Sequence, residues 1–310
     1  GMLQFDVVVF AYTLAWYASS VLAITTSKMS MQLAPVPFCL CFVQFSIATL
    51  MSFTACRFSA GVLPVGGEWR VLSKTSFTYT AGFICTNLAF SLAGAPFVET
   101  VKSSEPITTV ILAFGLLGEV DSLMTYAMLL PIMAGVAMAS MSDMTFSWLG
   151  LLVVQASNIG FSARAVYAKQ LTKGFPKSGS ARSNFELFYH ISRLGLLLIV
   201  PALTLDVAPL RASISADKFS PVALLATMSF NGIFYTLYNL FSFMVLSRVS
   251  TSTHAVLNVF RRVVVICATT IFFGAPVTAY NSMGIVVAVA GVLAFTRAKQ
   301  AQTSAIRKIA

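Results

Sequence analysis

The chain has 310 residues, 57% of them hydrophobic and 10% charged, with a mean hydropathy of +0.85. A soluble domain carries roughly 25% charged residues, so the 20 basic and 10 acidic residues here are too few to coat a water-facing surface, which excludes an ordinary soluble enzyme. The net charge of +10 comes without a basic run or an aromatic-basic interleave, so nucleic acid is not the expected partner.

Apolar stretches delimited by charge, Pro or Gly fall at about 7–26, 36–55, 74–92, 98–117, 123–141, 148–169, 184–205, 220–245, 252–274 and 280–297. Each is long enough for a helical crossing of the hydrocarbon core, and the alternating ten-residue segments of a β-barrel are missing. The expected fold is an all-α integral membrane protein with ten transmembrane helices in a single transporter domain over 1–310. Tight turns are expected at 94–97, 118–122 and 275–279, and longer loops at 56–73, 170–183 and 206–219.

Basic residues at the ends of these stretches are unevenly distributed. Arg57, Arg70, Lys74, Lys169, Lys173, Lys177, Arg182, Arg248, Arg297, Lys299, Arg307 and Lys308 lie on the side of the N-terminus. Only Lys28, Arg211 and Lys218 lie opposite. The positive-inside rule puts both termini in the cytosol. No targeting segment is visible ahead of the first stretch, which starts near residue 7; the Gly1-Met2 start leaves open a transit peptide ahead of residue 1.

An internal repeat is also visible. Gly118 and Gly135 stand 17 apart, as do Gly274 and Gly291, and both second glycines sit in Ala-Gly-Val triplets, so an offset of 156 relates the two pairs. Five helices per repeat force opposite insertion of the halves, giving approximately 7–141 as the first inverted repeat and 148–297 as the second. Inverted repeats are frequent in secondary transporters, whose substrate site lies near the midplane.

Five basic residues remain within the stretches: Lys102, Arg164, Arg193, Arg261 and Arg262. A charge at a helix centre costs about 2.5–3.5 kcal/mol on insertion scales, so such residues face a partner or a water-filled cavity. Lys102 has Glu99 and Glu105 three residues to either side; it is either neutralised by one of them or presented to an anion. Arg261 and Arg262 have no acidic residue anywhere in 252–274, so they meet an anion unless one snorkels or pairs with an acid from another helix. The 156 offset maps Lys102 onto Asn258, one turn from the arginines. A phosphate ester is the simplest anion for this cluster, because guanidinium groups grip phosphate through a bidentate fork and stay charged when desolvated. Thr86, Asn87, Tyr235, Tyr238 and Asn239 are placed to line such a cavity or to serve as interhelical glue. Arg164 near the end of its stretch, His254 and Glu105 are candidate gate or supporting groups, and Arg193 is expected to pair with Glu186 or His190.

Nothing points to catalysis, a metal or a cofactor. There is no P-loop, Ser/His/Asp set or metal-ligand spacing. The five cysteines read as small apolar fillers, and His190 and His254 alone do not make a zinc site.

Four segments carry a resemblance: Val101-Lys102-Ser103-Ser104-Glu105-Pro106; Ser157-Asn158 followed by Phe161, Arg164, Tyr167 and Lys169; Tyr235-Thr236-Leu237-Tyr238-Asn239; and Thr253 through Ile266 around Arg261-Arg262. With them the chain resembles, over nearly its whole length, the sugar-phosphate/phosphate translocators typified by the plastid triose-phosphate translocator, within the drug/metabolite transporter superfamily. The resemblance implies ten helices in inverted halves and exchange of inorganic phosphate for a phosphorylated C3, C5 or C6 compound by rocker-switch alternating access. It also implies phosphate ligands at Lys102, Arg262, Tyr238 and Thr86. Two departures stand out. Arg261 replaces a lysine, changing reach and geometry, and Phe83 replaces a histidine, removing a polar contact from the end of the substrate beyond the phosphate.

The expected partners are a phosphorylated small molecule, inorganic phosphate and the bilayer, in a plastid envelope or a Golgi/ER membrane. A nucleotide-sugar carrier of the Golgi or ER is the nearest rival. A non-transporting membrane scaffold or receptor is the rival of another class.

Overall fold

The computed structural model describes residues 7–58, 69–173, 181–215, 220–249, 251–276 and 278–309. Among them the chain is helical throughout, with no strand. The helices are α1 (Val7–Leu33), α2 (Pro37–Phe58), α3 (Trp69–Leu92), α4 (Ala95–Lys102), α5 (Glu105–Leu117), α6 (Leu123–Ala127), α7 (Leu129–Met141), α8 (Trp148–Lys173), α9 (Ala181–Ile199), α10 (Val207–Ser215), α11 (Pro221–Leu246), α12 (Thr251–Phe273) and α13 (Ala279–Ile309). A 3-10 segment (Val200–Asp206) joins α9 to α10.

The arrangement suits a lipid solvent. Large apolar side chains face outward, with Leu123 85% and Ile271 81% exposed, while Asn231, Ser157, Asn158 and Thr236 are fully buried. Only segments whose backbone bonds are satisfied internally can stand in hydrocarbon. Buried hydroxyls follow the same economy: Thr13, Ser20, Thr80 and Thr236 each donate to the carbonyl four residues back. Among the described residues seven helical stretches are long and apolar enough to cross a membrane. α3, α4, α5 and α11 fall outside that set, and they carry many of the polar residues that face inward.

Several predicted boundaries shift. The fourth stretch, read as one helix over 98–117, is broken at Ser103-Ser104 into α4 and α5. Pro106 falls at the start of α5, where its missing N–H costs nothing and its ring cannot continue the preceding helix. The fifth is interrupted at Met128, and the loop assigned to 206–219 is helical over Val207–Ser215. Part of the loops at 56–73 and 170–183 is helical, since α2 extends to Phe58, α3 starts at Trp69, α8 extends to Lys173 and α9 starts at Ala181; Lys177 and Lys218 lie outside the described residues. The Lys28 ammonium donates to the carbonyls of Phe90 (2.7 Å) and Ala93 (2.8 Å), closing the end of α3.

The tightest helix pairs are α3 with α8, α7 with α13, α1 with α11 and α2 with α9. Small residues permit this. A Cβ on Gly160 would come within 2.9 Å of the Gly82 backbone, one on Gly291 within 2.8 Å of the Ile132 nitrogen, and one on Gly135 would overlap the Ala288 backbone. Gly118 and Gly274 close α5 and α12 in the left-handed region, at φ 64° and 58°, where a Cβ is disfavoured.

Candidate functional site

The broken fourth stretch builds the site. Because the helix stops after Lys102 and restarts at Glu105, the lysine occupies the last turn of α4 and the glutamate the first turn of α5, each at the helix end whose dipole favours its charge. α8 covers the break: the Asn158 side-chain amide donates to the Val101 carbonyl (3.3 Å) and to the Ser104 hydroxyl (3.1 Å). Non-helical backbone at membrane depth needs such cover.

The break opens onto a cavity of about 300 Å³ walled by α1, α2, α3, α4, α5, α8, α11 and α12. Eleven of the residues singled out from the sequence line it: Lys102, Arg261, Arg262, Tyr238, Thr86, Asn87, Tyr235, Asn239, Arg164, His254 and Glu105. Glu99, from the buried face of α4, lines it as well. Four basic side chains face two carboxylates, leaving a surplus of two positive charges.

The cations are held in different ways. Lys102 donates to the Thr86 hydroxyl at 3.1 Å and stands 5.0 Å above the Phe161 ring. Thr86 in turn bonds Ser157 (2.7 Å) and donates to its own helix at Gly82 (2.9 Å), so α3 and α8 together fix the lysine. Arg262 meets Glu105 at 2.5 Å, with side chains 11% and 28% exposed. Of the two alternatives for Lys102 and for the arginine pair, the acid from another helix goes to Arg262, and no carboxylate pairs directly with Lys102 among the described residues. Arg261 donates to Asn258 (3.0 Å) and faces Trp16, 5.9 Å from its ring. Arg164 stacks on Tyr79 at 5.1 Å, and its Nε is buried without a hydrogen-bond partner among the described residues, as is Nη1 of Arg262. Arg193 takes no place in the cavity and lies over the Tyr189 ring at 5.5 Å.

The Tyr235 hydroxyl is 2.6 Å from that of Tyr79, so both phenols are engaged in the wall. Asn239 donates back to the Tyr235 carbonyl (2.8 Å). His254 stacks on Trp16 and shares a hydrogen bond with Ser242 at 3.1 Å. Sequence reasoning missed Trp16, Gln44 and Tyr79 as cavity residues. The 156 offset would have found Tyr79, since it maps onto Tyr235. Gln44 belongs to a buried amide relay in which it donates to Asn231 (2.8 Å) and accepts from Asn87 (3.1 Å), and no spacing within one helix marks it.

A helical bundle that turns its apolar residues outward and encloses a positively charged polar cavity is an integral membrane protein built around a central chamber. The chain belongs to the Triose-phosphate Transporter family, whose model matches residues 7–296. It is 32% identical over 294 residues to phosphoenolpyruvate/phosphate translocator 2, chloroplastic, of Arabidopsis thaliana, covering 93% of this chain and 76% of that one. It is 30% identical to phosphoenolpyruvate/phosphate translocator 3, chloroplastic, of Oryza sativa subsp. japonica (94% and 74% covered) and 27% identical to the chloroplastic triose phosphate/phosphate translocator of Pisum sativum (91% and 70%). A solved crystal structure at 16% identity superposes with a TM-score of 0.58 over 94% of this chain and 99% of its own, a likeness of fold alone.

Proposed function

We propose that this protein is a secondary antiporter that exchanges a phosphorylated small metabolite for inorganic phosphate by alternating access. The observation that carries the reading is the convergence of Lys102, Arg261 and Arg262 on one cavity whose surplus of two positive charges matches a phosphate dianion. Lys102, Arg261 and Arg262 hold the phosphate, Thr86 sets the lysine's position, and Tyr238 and Asn239 complete the polar wall. Tyr235 acts through the wall it forms with Tyr79. Arg164, stacked on Tyr79, and His254, stacked on Trp16, are supporting or gate groups of the wall, and Glu105 holds Arg262 when no anion is present. A cavity of about 300 Å³ is at the lower end of the roughly 300–1,000 Å³ of ligand pockets, which favours a small phosphate ester over a nucleotide sugar.

The same reading includes ten crossings in two inverted repeats, approximately 7–141 and 148–297, with both termini cytosolic and a plastid envelope as the membrane. The 156 offset supports the repeat: it relates Tyr79 to Tyr235, whose hydroxyls bond each other, and Gly118 to Gly274, both left-handed. It also relates Gly135 against Ala288 to Gly291 against Ile132. The pairing of α3 with α8 is mirrored by that of α11 with α1, as an exchange of halves requires.

The test is counter-exchange of radiolabelled phosphate by the purified chain in phosphate-loaded liposomes. Wild type exchanges, and Lys102→Gln loses exchange. Wild-type exchange rates in Lys102→Gln overturn the assignment, and stabilisation by UDP- or GDP-sugars but not by phosphate esters would favour the nucleotide-sugar carrier.

A further inference from the structure

Two carboxylates line the chamber, and Glu105 is tied to Arg262. The other, Glu99, is only 2% exposed on α4, and among the described residues its carboxylate forms no ion pair and accepts no hydrogen bond. A buried carboxylate in that position stays charged only through cations nearby, and otherwise takes up a proton. Lys102 and Arg261 are the cations that act on it, with the Tyr238 phenol beside them. The remaining titratable groups of the chamber are engaged elsewhere. Arg164 stacks on Tyr79, Tyr79 bonds Tyr235, and His254 shares a hydrogen bond with Ser242. Among the described residues α1, α2 and α7 bring no titratable side chain to the chamber.

The cations that keep Glu99 ionised are the same ones that grip the substrate in the phosphate-exchange reading, on which this inference rests. A dianion matches the surplus of two positive charges and leaves Glu99 as it is. A trianion brings one negative charge too many, and with Lys102 and Arg261 taken up by the substrate the excess falls on Glu99. We propose that Glu99 is a proton-binding site of the chamber: it takes one proton from solution when a trianion binds, releases it when the trianion leaves, and stays ionised around a dianion. With the proton in place the four basic side chains face one carboxylate, and the surplus rises to match the trianion. Both cargoes then cross in a neutral chamber, and exchange of a trianion for a dianion moves no net charge. A proton needs no exposed surface, so the burial of Glu99 suits this role.

The second pKa of a phosphate monoester is about 6, so one that also bears a carboxylate is a trianion at about pH 8. Phosphoenolpyruvate serves as the trianion and inorganic phosphate as the dianion. The purified chain is placed in phosphate-loaded liposomes that hold a pH-sensitive dye, and a potassium gradient with valinomycin sets the membrane potential. Wild type should acidify the lumen by about one proton per phosphoenolpyruvate taken up, at a rate indifferent to the potential. Glu99→Gln, fixed in the neutral form, should take up phosphoenolpyruvate without acidification and faster when the lumen is positive. Its phosphate homo-exchange should fall by about tenfold or more, because one positive charge is left unmatched. Acidification that persists in Glu99→Gln overturns the proposal, since the proton then travels on the substrate; so does potential-driven uptake without acidification in wild type. If Glu99→Gln does not assemble, infrared difference spectra of wild type and Glu99→Asp decide. Phosphoenolpyruvate, but not phosphate, should raise a protonated-carboxyl band that shifts with isotopically labelled glutamate in wild type and not in Glu99→Asp, and absence of the band overturns the proposal. Absence of phosphate homo-exchange in wild type would instead overturn the exchange reading itself.

Discussion

Arg262 stands in an ion pair and in the proposed phosphate clamp at once, and the two roles separate under mutation. The guanidinium meets Glu105 at 2.5 Å, with side chains 11% and 28% exposed. Removing one partner of a fully buried pair costs about 3–5 kcal/mol, and the wetter Glu105 end lowers that to roughly 1–3. Arg262→Gln should therefore lower the melting temperature in detergent. It should also reduce phosphate exchange by about 10- to 150-fold, the equivalent of a lost charge-assisted bond of about 1.5–3 kcal/mol. Glu105→Gln with Arg262→Gln removes both charges and should recover stability without recovering exchange. Thermal unfolding monitored by intrinsic fluorescence and counter-exchange in liposomes read the two effects apart. Near-wild-type exchange in the double variant would refute the clamp, because it would reduce Arg262 to a neutraliser of Glu105.

Thr86→Val removes the acceptor that fixes Lys102 and the link to Ser157; exchange should fall about tenfold, the equivalent of a bond to a charged group, while the melting temperature moves little. Gly135→Ala places a Cβ against the Ala288 backbone and should destabilise the protein by about 1–3 kcal/mol, read as a lower melting temperature. Tyr79→Phe and Tyr235→Phe each remove one side of a 2.6 Å bond; each should cost about 1 kcal/mol in thermal stability, and the double variant should cost less than the sum because the bond is shared.

Lys102, Arg261 and Arg262 were legible because a charge inside an apolar run is expensive and demands a reason. Tyr79, in the same cavity, was marked only by the 156 offset from Tyr235 and by nothing in its own helix. In a membrane helix both the lipid face and the core face are apolar, so periodicity does not tell which tyrosine or tryptophan turns inward. Hydropathy marks the length of a stretch and is blind to a break within it, so α4 and α5 read as one helix although Pro106 was in view. The Arg262–Glu105 pair joins residues 157 apart. Sequence could name both groups and the alternatives for each, but not which acid would turn to which cation. Gln44 and Asn231 were invisible for a related reason: an amide in a helix becomes meaningful only with its partner on a neighbouring helix.

The distribution of partners in the cavity bears on why exchange would be obligatory. Lys102 rests on a hydroxyl and Arg261 on an amide, and among the described residues Arg262 alone of the three has an anion. Nε of Arg164 and Nη1 of Arg262 are buried with no acceptor among the described residues. Closing such a chamber empty would carry two uncompensated charges into a low dielectric, at an effective cost of several kcal/mol per ion. Each 1.4 kcal/mol slows a step about tenfold, so an empty return falls behind a loaded one by several orders of magnitude. A bound dianion removes the penalty in either direction whatever organic group it carries. Coupling on this reading lies in the charge surplus of the chamber, so a substitution that lowers the surplus should loosen the obligation to exchange before it alters anything else.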